Sequence, residues 1–245
     1  MCRMVGFVPG EDNSIDFAKV RAFRSLASCG LVCEGSEPGH RDGWGIVAWD
    51  RGSPIYLGRE PNDATSDPLF EEACAKGEAM KTSSPVIAHL RKASVGLKIR
   101  ENTHPFVQGE WAFAHNGTIR RLNLKYTTDS QWFFESIMTE ARQNSGDILS
   151  AIVKNVKTVR EVYPYTSITF LLSNGKELYA YRDAAENIEY YTVYYANTSE
   201  GFAVSQETYF DAPWKLLENG SLLKLHEDRT VQITPILSEI QPKAV

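Results

Sequence analysis

The sequence predicts a layered α+β fold, and three observations carry the prediction. Apolar segments of strand character are numerous, four helical segments cluster instead of alternating with strands, and the C-terminal third is mainly β with a clear hairpin signal. "CRMVGFV" reads as the first strand. "SIDFAKVRAFRSLASCG" follows as a helix with Ser14 as its cap, Val20, Phe23 and Ala27 on one stripe, and Gly30 as its stop. "GIVAWD" and "PIYLG" form a strand pair, and "SDPLFEEACAKG" a short helix with Pro68 in its first turn. "PVIAHLRKA" and "WAFAHNG" are strands. "DSQWFFESIMTEARQ" and "DILSAIVKNVKTV" are adjacent helices, each led by an aspartate suited to a helix start. In "SITFLLSNGKELYAYRD", Asn174-Gly175 marks a hairpin, and "EYYTVYYAN", "GFAVS", "SLLKLH" and "TVQITPI" supply further strands.

Composition bounds the function. With 42% hydrophobic and 23% charged residues in 245, the chain can bury a sizeable core, and no drop in complexity marks a linker. Residues 2–245 are therefore expected to form a single domain. A net charge of −5 argues against nucleic-acid and membrane-surface partners, which favour basic patches. No apolar run approaches the roughly 20 residues needed to span a bilayer. The N-terminus lacks the basic and apolar segments of a secretory signal, so a cytoplasmic location is expected, with Cys2, Cys29, Cys33 and Cys74 reduced.

Polar residues cluster in or just after apolar strands. In "IAHLRKAS", alternation puts His89 and Arg91 on one face and Leu90 on the other. Taken alone, that arginine reads as a structural ion pair or part of a solvated edge strand. "ENTHPF" places His104 in a turn, as a capping or packing residue on the simplest reading. "AHNGTI" ends a strand with Asn116 and Gly117, by default a turn, although an Asn amide beside a backbone N–H also suits an oxyanion hole. In "TDSQ", Asp129 opens a helix, and the cheapest explanation is a helix cap.

The order of these segments is more specific than any of them. "MCRMVGF", "HRDGWGIVAWD", "VIAHLRKASVG", "ENTHPF", "FAHNGTI" and "TDSQ", with the later "AVSQETYFDAPWKLLENGSLLKL", resemble the class II glutamine amidotransferases, a family of N-terminal-nucleophile hydrolases. The likeness runs from residue 2 to about residue 225, and is nearest to stand-alone members that carry a DGWG segment and no synthase domain. It implies the four-layer αββα sandwich of N-terminal-nucleophile hydrolases and no cofactor or metal. It also implies roles: Cys2 as nucleophile, Arg91 for the substrate α-carboxylate, Asp129 for the α-ammonium, and Asn116 with the Gly117 N–H as oxyanion hole. His104 and Ser94 are implied as supporting residues of the substrate pocket. The chain departs from the family pattern at Ser94, where threonine is usual, and at Gln131, where glutamate is usual.

The chemistry requires a terminal cysteine. A thiol titrates near pH 8.5 and an α-amine near 7.7 to 8.0, so a free amine on Cys2 itself supplies a base at neutral pH. Removal of Met1 is accordingly expected. The resemblance leaves the leaving group open. One reading is glutamine hydrolysis with ammonia passed to a synthase subunit. The alternative is hydrolysis of a small γ-glutamyl peptide or amide in thiol metabolism. A third reading, of another class, is a catalytically idle domain that binds a γ-glutamyl ligand or a partner protein. Cys29, Cys33 and Cys74 read as buried packing thiols, because two cysteines four apart without nearby histidines make a poor zinc site. The tyrosines of "EYYTVYY" read as strand packing, or as the lining of an acceptor cleft.

Overall fold

Apolar side chains on both faces make the first strand. The computed structural model describes residues 2–11, 14–33, 35–123 and 128–236. In β1 (Arg3–Pro9) every residue is buried, with Val5 and Phe7 packed to one side and Met4 and Val8 to the other. The helix expected after it is two helices, α1 (Phe17–Phe23) and α2 (Leu26–Cys29). Its cap is Asp16 instead of Ser14, since the Asp16 carboxylate accepts the Ala18 N–H at 2.9 Å. The strand pair is β2 (Trp44–Asp50) and β3 (Ser53–Glu60), and Asp67 caps α3 (Pro68–Met80) with Pro68 as its first residue. Then come β4 (Val86–Leu90), a 3-10 turn at Arg100–Asn102, β5 (Phe106–Gln108) and β6 (Trp111–Asn116). Helices α4 (Asp129–Gln143) and α5 (Ile148–Val162) precede β7 (Thr169–Ser173), β8 (Leu178–Arg182), β9 (Tyr194–Thr198), β10 (Gly201–Ser205), β11 (Lys215–Leu216), β12 (Ser221–Leu225) and β13 (Val231–Pro235).

These strands form two antiparallel sheets, one ordered β11-β9-β10-β1-β4-β2-β3 and the other β13-β12-β8-β7-β6-β5. Three apolar layers hold them. Val5, Ile46, Val86 and Ala88 of the first sheet pack on Phe17, Phe23 and Phe70 of α1 and α3. Met4, Val47 and Ile87 meet Ala112, Leu171 and Leu223 between the sheets. Phe113, Phe170 and Tyr181 of the second sheet pack on Phe133, Ile152 and Val156 of α4 and α5. The order helix, sheet, sheet, helix is the four-layer αββα sandwich, of α+β class.

Two local expectations change. β4 lies between β1 and β2, so it is a central strand and Arg91 follows its end, which removes the edge-strand reading. Of "EYYTVYYAN" only the last four residues, from Tyr194 on, lie in strand β9. Tyr190 and Tyr191 precede it in a turn and are buried, with the Arg3 guanidinium 4.4 Å from the Tyr190 ring centre. The Asn174-Gly175 hairpin stands. A Cβ on Gly175, whose φ is +85°, would lie 2.4 Å from the Trp49 ring, so that turn needs glycine for both space and conformation.

The four cysteines are free thiols. Cys74 is buried, but Cys29 is exposed and Cys33 half-buried, because the chain leaves the helix layer at α2. No helix among the described residues is long and apolar enough to cross a membrane.

Register positions the strand ends. Arg3 pairs with Leu90, which sets the N-terminal end of β1 against the C-terminal end of β4, and Asn116 pairs with Thr169 at the end of β6. Phe113 locks β6 to α4: its ring lies parallel to Phe134 at 5.1 Å and edge-on to Phe133 at 5.9 Å, fully buried. Phe113→Ala is therefore expected to lower unfolding free energy by about 3–5 kcal/mol in denaturant titrations. A loss below about 1 kcal/mol would contradict this account of the layer.

Candidate active site

Cys2, the residue before β1, sits where the two sheets meet. Its backbone N–H donates to Asn116 Oδ1 at 3.0 Å, and Asn116 Nδ2 donates back to the Cys2 carbonyl at 2.8 Å and to Gln206 Oε1 at 3.0 Å. The thiol faces the Lys92 backbone, with the Lys92 N–H 3.4 Å from Sγ and the Lys92 carbonyl 3.5 Å away. Burial pushes the Cys2 thiol above its ordinary range. The Lys92 N–H and the charges of Arg91 and Arg3 oppose that push without cancelling it.

Arg91 is held by its backbone and its fork. Its N–H donates to Gly43 O at 2.7 Å, its carbonyl accepts the Asp42 N–H at 2.8 Å, and its guanidinium donates to Val95 O and Leu97 O, each at 3.0 Å. Two of the five guanidinium N–H groups are thus engaged by the loop 95–97. Asp42 clamps that loop from outside. Its Oδ2 accepts the Ala93 N–H at 2.9 Å and its Oδ1 lies 2.5 Å from Lys98 Nζ. Burial raises the Asp42 carboxyl, but the Lys98 ammonium and the Ala93 N–H outweigh it and hold the group below its ordinary value.

Asp129 is buried at the first position of α4. The cap of that helix is Thr128, whose hydroxyl accepts the Gln131 N–H at 3.1 Å, so the cap reading of Asp129 is corrected. The Asp129 carboxylate instead accepts the Ile119 N–H at 2.8 Å, fixing the segment after Gly117. No direct ion pair joins Arg91 to Asp129, though each is about 97% buried. Gly117 follows β6 under Ser167: a Cβ there would lie 1.8 Å from the Ser167 carbonyl oxygen, so only glycine lets the two backbones touch. Ser94 is exposed, and its hydroxyl is shared with Thr118 at 2.8 Å. Gln131, inside α4, donates its side-chain N–H to the Glu101 carbonyl at 3.0 Å, a bond that a glutamate could not make.

Cys2, Arg91, Ser94, His104, Gly117 and Asp129 line one narrow cleft, whose enclosed volume of about 20 Å³ is room for roughly one water molecule. Asn116 lies behind Cys2 and does not line it. His104 is buried, its ring centre 4.4 Å from that of His89 and 4.3 Å from that of Phe106, and its ring nitrogens have no hydrogen-bond partner. Gln206 and Asp42 were not singled out from sequence. Their signals were weak, a polar residue ending the apolar run "GFAVS" and an acidic residue opening "DGWG". Among the described residues, no group of three or more His, Cys, Asp or Glu is arranged to hold a metal ion.

Residues 1–195 match the family described as class-II glutamine amidotransferases, and the chain belongs to that family. A putative glutamine amidotransferase of Haemophilus influenzae is 30% identical over 209 residues, 78% of this chain and 65% of the relative. A gamma-glutamyl-hercynylcysteine sulfoxide hydrolase of Mycolicibacterium smegmatis is 26% identical over 197 residues, 80% of this chain and 82% of that protein. The solved glutamine aminotransferase class-II domain protein from Silicibacter pomeroyi superposes with a TM-score of 0.64 at 20% identity, over 96% of this chain and 99% of that one, and so shares the fold. The chain spans only about two thirds of the Haemophilus relative and 66% of a Methanocaldococcus jannaschii relative.

Burial keeps the histidines of the site neutral. It lowers His89 to about 3 and His104 well below 6.5, with His89, His115 and Arg91 adding to the effect on His104. The unfolded chain takes up protons near pH 6.5 while the folded chain does not, so stability is full above that pH and falls as pH drops toward the folded values. Each histidine is expected to cost up to about 1.4 kcal/mol per pH unit below pH 6.5. In the folded protein, the His89 and His104 Cε1 proton resonances should not titrate between pH 5 and 8. A midpoint near 6 for either would overturn their assignment as neutral, buried rings.

Proposed function

We propose that this chain cleaves the γ-glutamyl amide bond of glutamine through Cys2, releasing ammonia and leaving glutamate. The observation that carries the reading is the pair of buried opposite charges, Arg91 and Asp129, which share a cleft with the Cys2 thiol without neutralising each other. Buried charges are costly unless paired, and the two ends of an amino-acid zwitterion pair both at once. The free N–H groups of Arg91 suit an α-carboxylate, and Asp129 suits an α-ammonium.

The proposed reaction begins with removal of Met1, which lies outside the described residues. The Cys2 α-amine then takes the thiol proton as Sγ attacks the γ-carbonyl carbon. A base is needed because burial keeps the resting thiol protonated. Negative charge gathers on the carbonyl oxygen, toward the Gly117 N–H and an Asn116 N–H. The carbon–nitrogen bond breaks, the ammonium on Cys2 gives its proton to the departing nitrogen, and a γ-glutamyl thioester remains. Water, deprotonated by the same amine, attacks the thioester, the carbon–sulfur bond breaks, the ammonium returns its proton to the leaving thiolate, and glutamate is released. Ammonia is then available to a synthase subunit.

A second reading has its own support. The Mycolicibacterium relative is named for hydrolysis of a γ-glutamyl compound, and the same clamp with a larger leaving group would give a γ-glutamyl hydrolase of a small peptide or amide. Turnover of glutamine against a panel of γ-glutamyl peptides separates the two, and glutamine turnover that needs a second protein supports the ammonia-transfer form. Cys2→Ala is expected to abolish release from every member of the panel, and unchanged turnover would move the nucleophile elsewhere. Intact-mass measurement of active protein should show Met1 absent. Active protein that retains Met1 would sink the mechanism, and an inactive, ligand-binding protein that retains it would favour an idle binding domain.

A further inference from the structure

Gln206 follows β10 and is about 99% buried, although nothing in its polarity favours that position. Its backbone is fixed on both sides: its N–H donates to Met4 O at 3.2 Å, and its carbonyl accepts the Thr192 hydroxyl at 2.6 Å. Its side chain accepts one Asn116 N–H at Oε1, while its Nε2 has no partner. A buried amide that satisfies one end and leaves the other unbonded is unusual for a purely structural residue.

The Asn116 amide plane is set by three hydrogen bonds, because its terminal torsion has no sharp preference of its own. Two of the three go to the backbone of Cys2. One of those two, the bond from the Cys2 nitrogen to Oδ1, is exposed to the reaction, since Met1 removal turns that N–H into an amine that can donate or accept. Gln206 is the side-chain partner, and the one outside the nucleophile's own residue, that the chemistry leaves unaltered. We propose that Gln206 is a positioning residue: its Oε1 holds the Asn116 amide with Nδ2 toward the Cys2 carbonyl and Oδ1 toward the Cys2 nitrogen. The inference rests on the active-site reading above and adds to it a residue that touches no substrate atom. In the resting site both Asn116 N–H groups are already engaged, so the amide must share one with the developing oxyanion, and the Gln206 acceptor is where that N–H returns.

Three variants test it. Gln206→Leu removes the acceptor at similar volume and is expected to lower kcat about 10- to 100-fold, with KM changed less than about 3-fold, because the substrate α-groups meet Arg91 and Asp129. Gln206→Glu keeps an acceptor but adds a carboxylate that makes the Cys2 amine more basic, so its pH–rate profile is expected to shift upward and its kcat to return to within a few-fold of wild type on the alkaline side. Gln206→Asn, too short to reach, should behave like the leucine variant. Equal losses in the leucine and glutamate variants across the whole pH profile, or a wild-type kcat in the leucine variant, would overturn the proposal. Side-chain amide exchange by NMR gives a readout independent of turnover. One Asn116 proton should exchange faster in Gln206→Leu and not in Gln206→Glu, and unaltered exchange in the leucine variant would refute the hydrogen bond's role. If the wild-type protein releases nothing from any γ-glutamyl compound, the nucleophile reading fails by itself, and the exchange measurement still decides whether Gln206 holds Asn116.

Discussion

The structure turns on the reciprocal hydrogen bonds between Cys2 and Asn116. Cys2 immediately precedes a strand of one sheet and Asn116 ends a strand of the other, both interior strands, so the two bonds at 3.0 and 2.8 Å fasten the sheets together at the ends of those strands. Each such bond contributes only about 1 kcal/mol net, far less than the apolar layer between the sheets. Their value lies in direction. The layer of Met4, Val47, Ala112 and Leu171 would tolerate a small slide of sheet over sheet, whereas two opposed donors and acceptors would not.

Once that junction is fixed, the remaining site residues follow from register. The pairing of Arg3 with Leu90 delivers the end of β4 beside Cys2, so Lys92 presents its backbone to the thiol and Arg91 turns into the cleft. The pairing of β6 with β7 carries Gly117 under Ser167, where the absence of a Cβ lets backbone meet backbone. Asp129 closes the circuit from α4 by accepting the Ile119 N–H, two residues beyond Gly117. Each polar group is thereby held by backbone of a different element. Preorganisation of this kind holds Arg91 and Asp129 in place at the cleft instead of leaving them as mobile side chains.

The sequence was informative where periodicity or steric chemistry speaks. Pro68 at the start of α3, Asp147 ahead of α5 and the Asn174-Gly175 turn all have local causes. It misled where two local causes compete. Asp129 looks like a cap, yet Thr128 beside it has the extended backbone a cap requires, and the carboxylate is left for Ile119. The run "EYYTVYY" has strand composition throughout, but Tyr191 gains a buried hydroxyl partner in Thr166 only if the chain turns before Tyr194. Of the site, the family-like segments carried Cys2, Arg91, Asn116 and Gly117 into view. Gln206 and Asp42 stayed hidden because their importance lies in contacts at 90 and 51 residues' separation, with Asn116 and Ala93, which no local pattern encodes.

The same separation explains why a neutral residue stands at 206. Arg3, whose guanidinium donates to the Cys2 carbonyl at 2.9 Å, already brings one positive charge to the junction, paired with Glu207. A second carboxylate beside it would favour the protonated form of the proposed Cys2 amine, and a base must be unprotonated to accept the thiol proton. An uncharged acceptor orients Asn116 without strengthening the field that holds that proton. Gln206 thus separates two tasks that a carboxylate would couple, fixing the amide plane and setting the basicity of its neighbour.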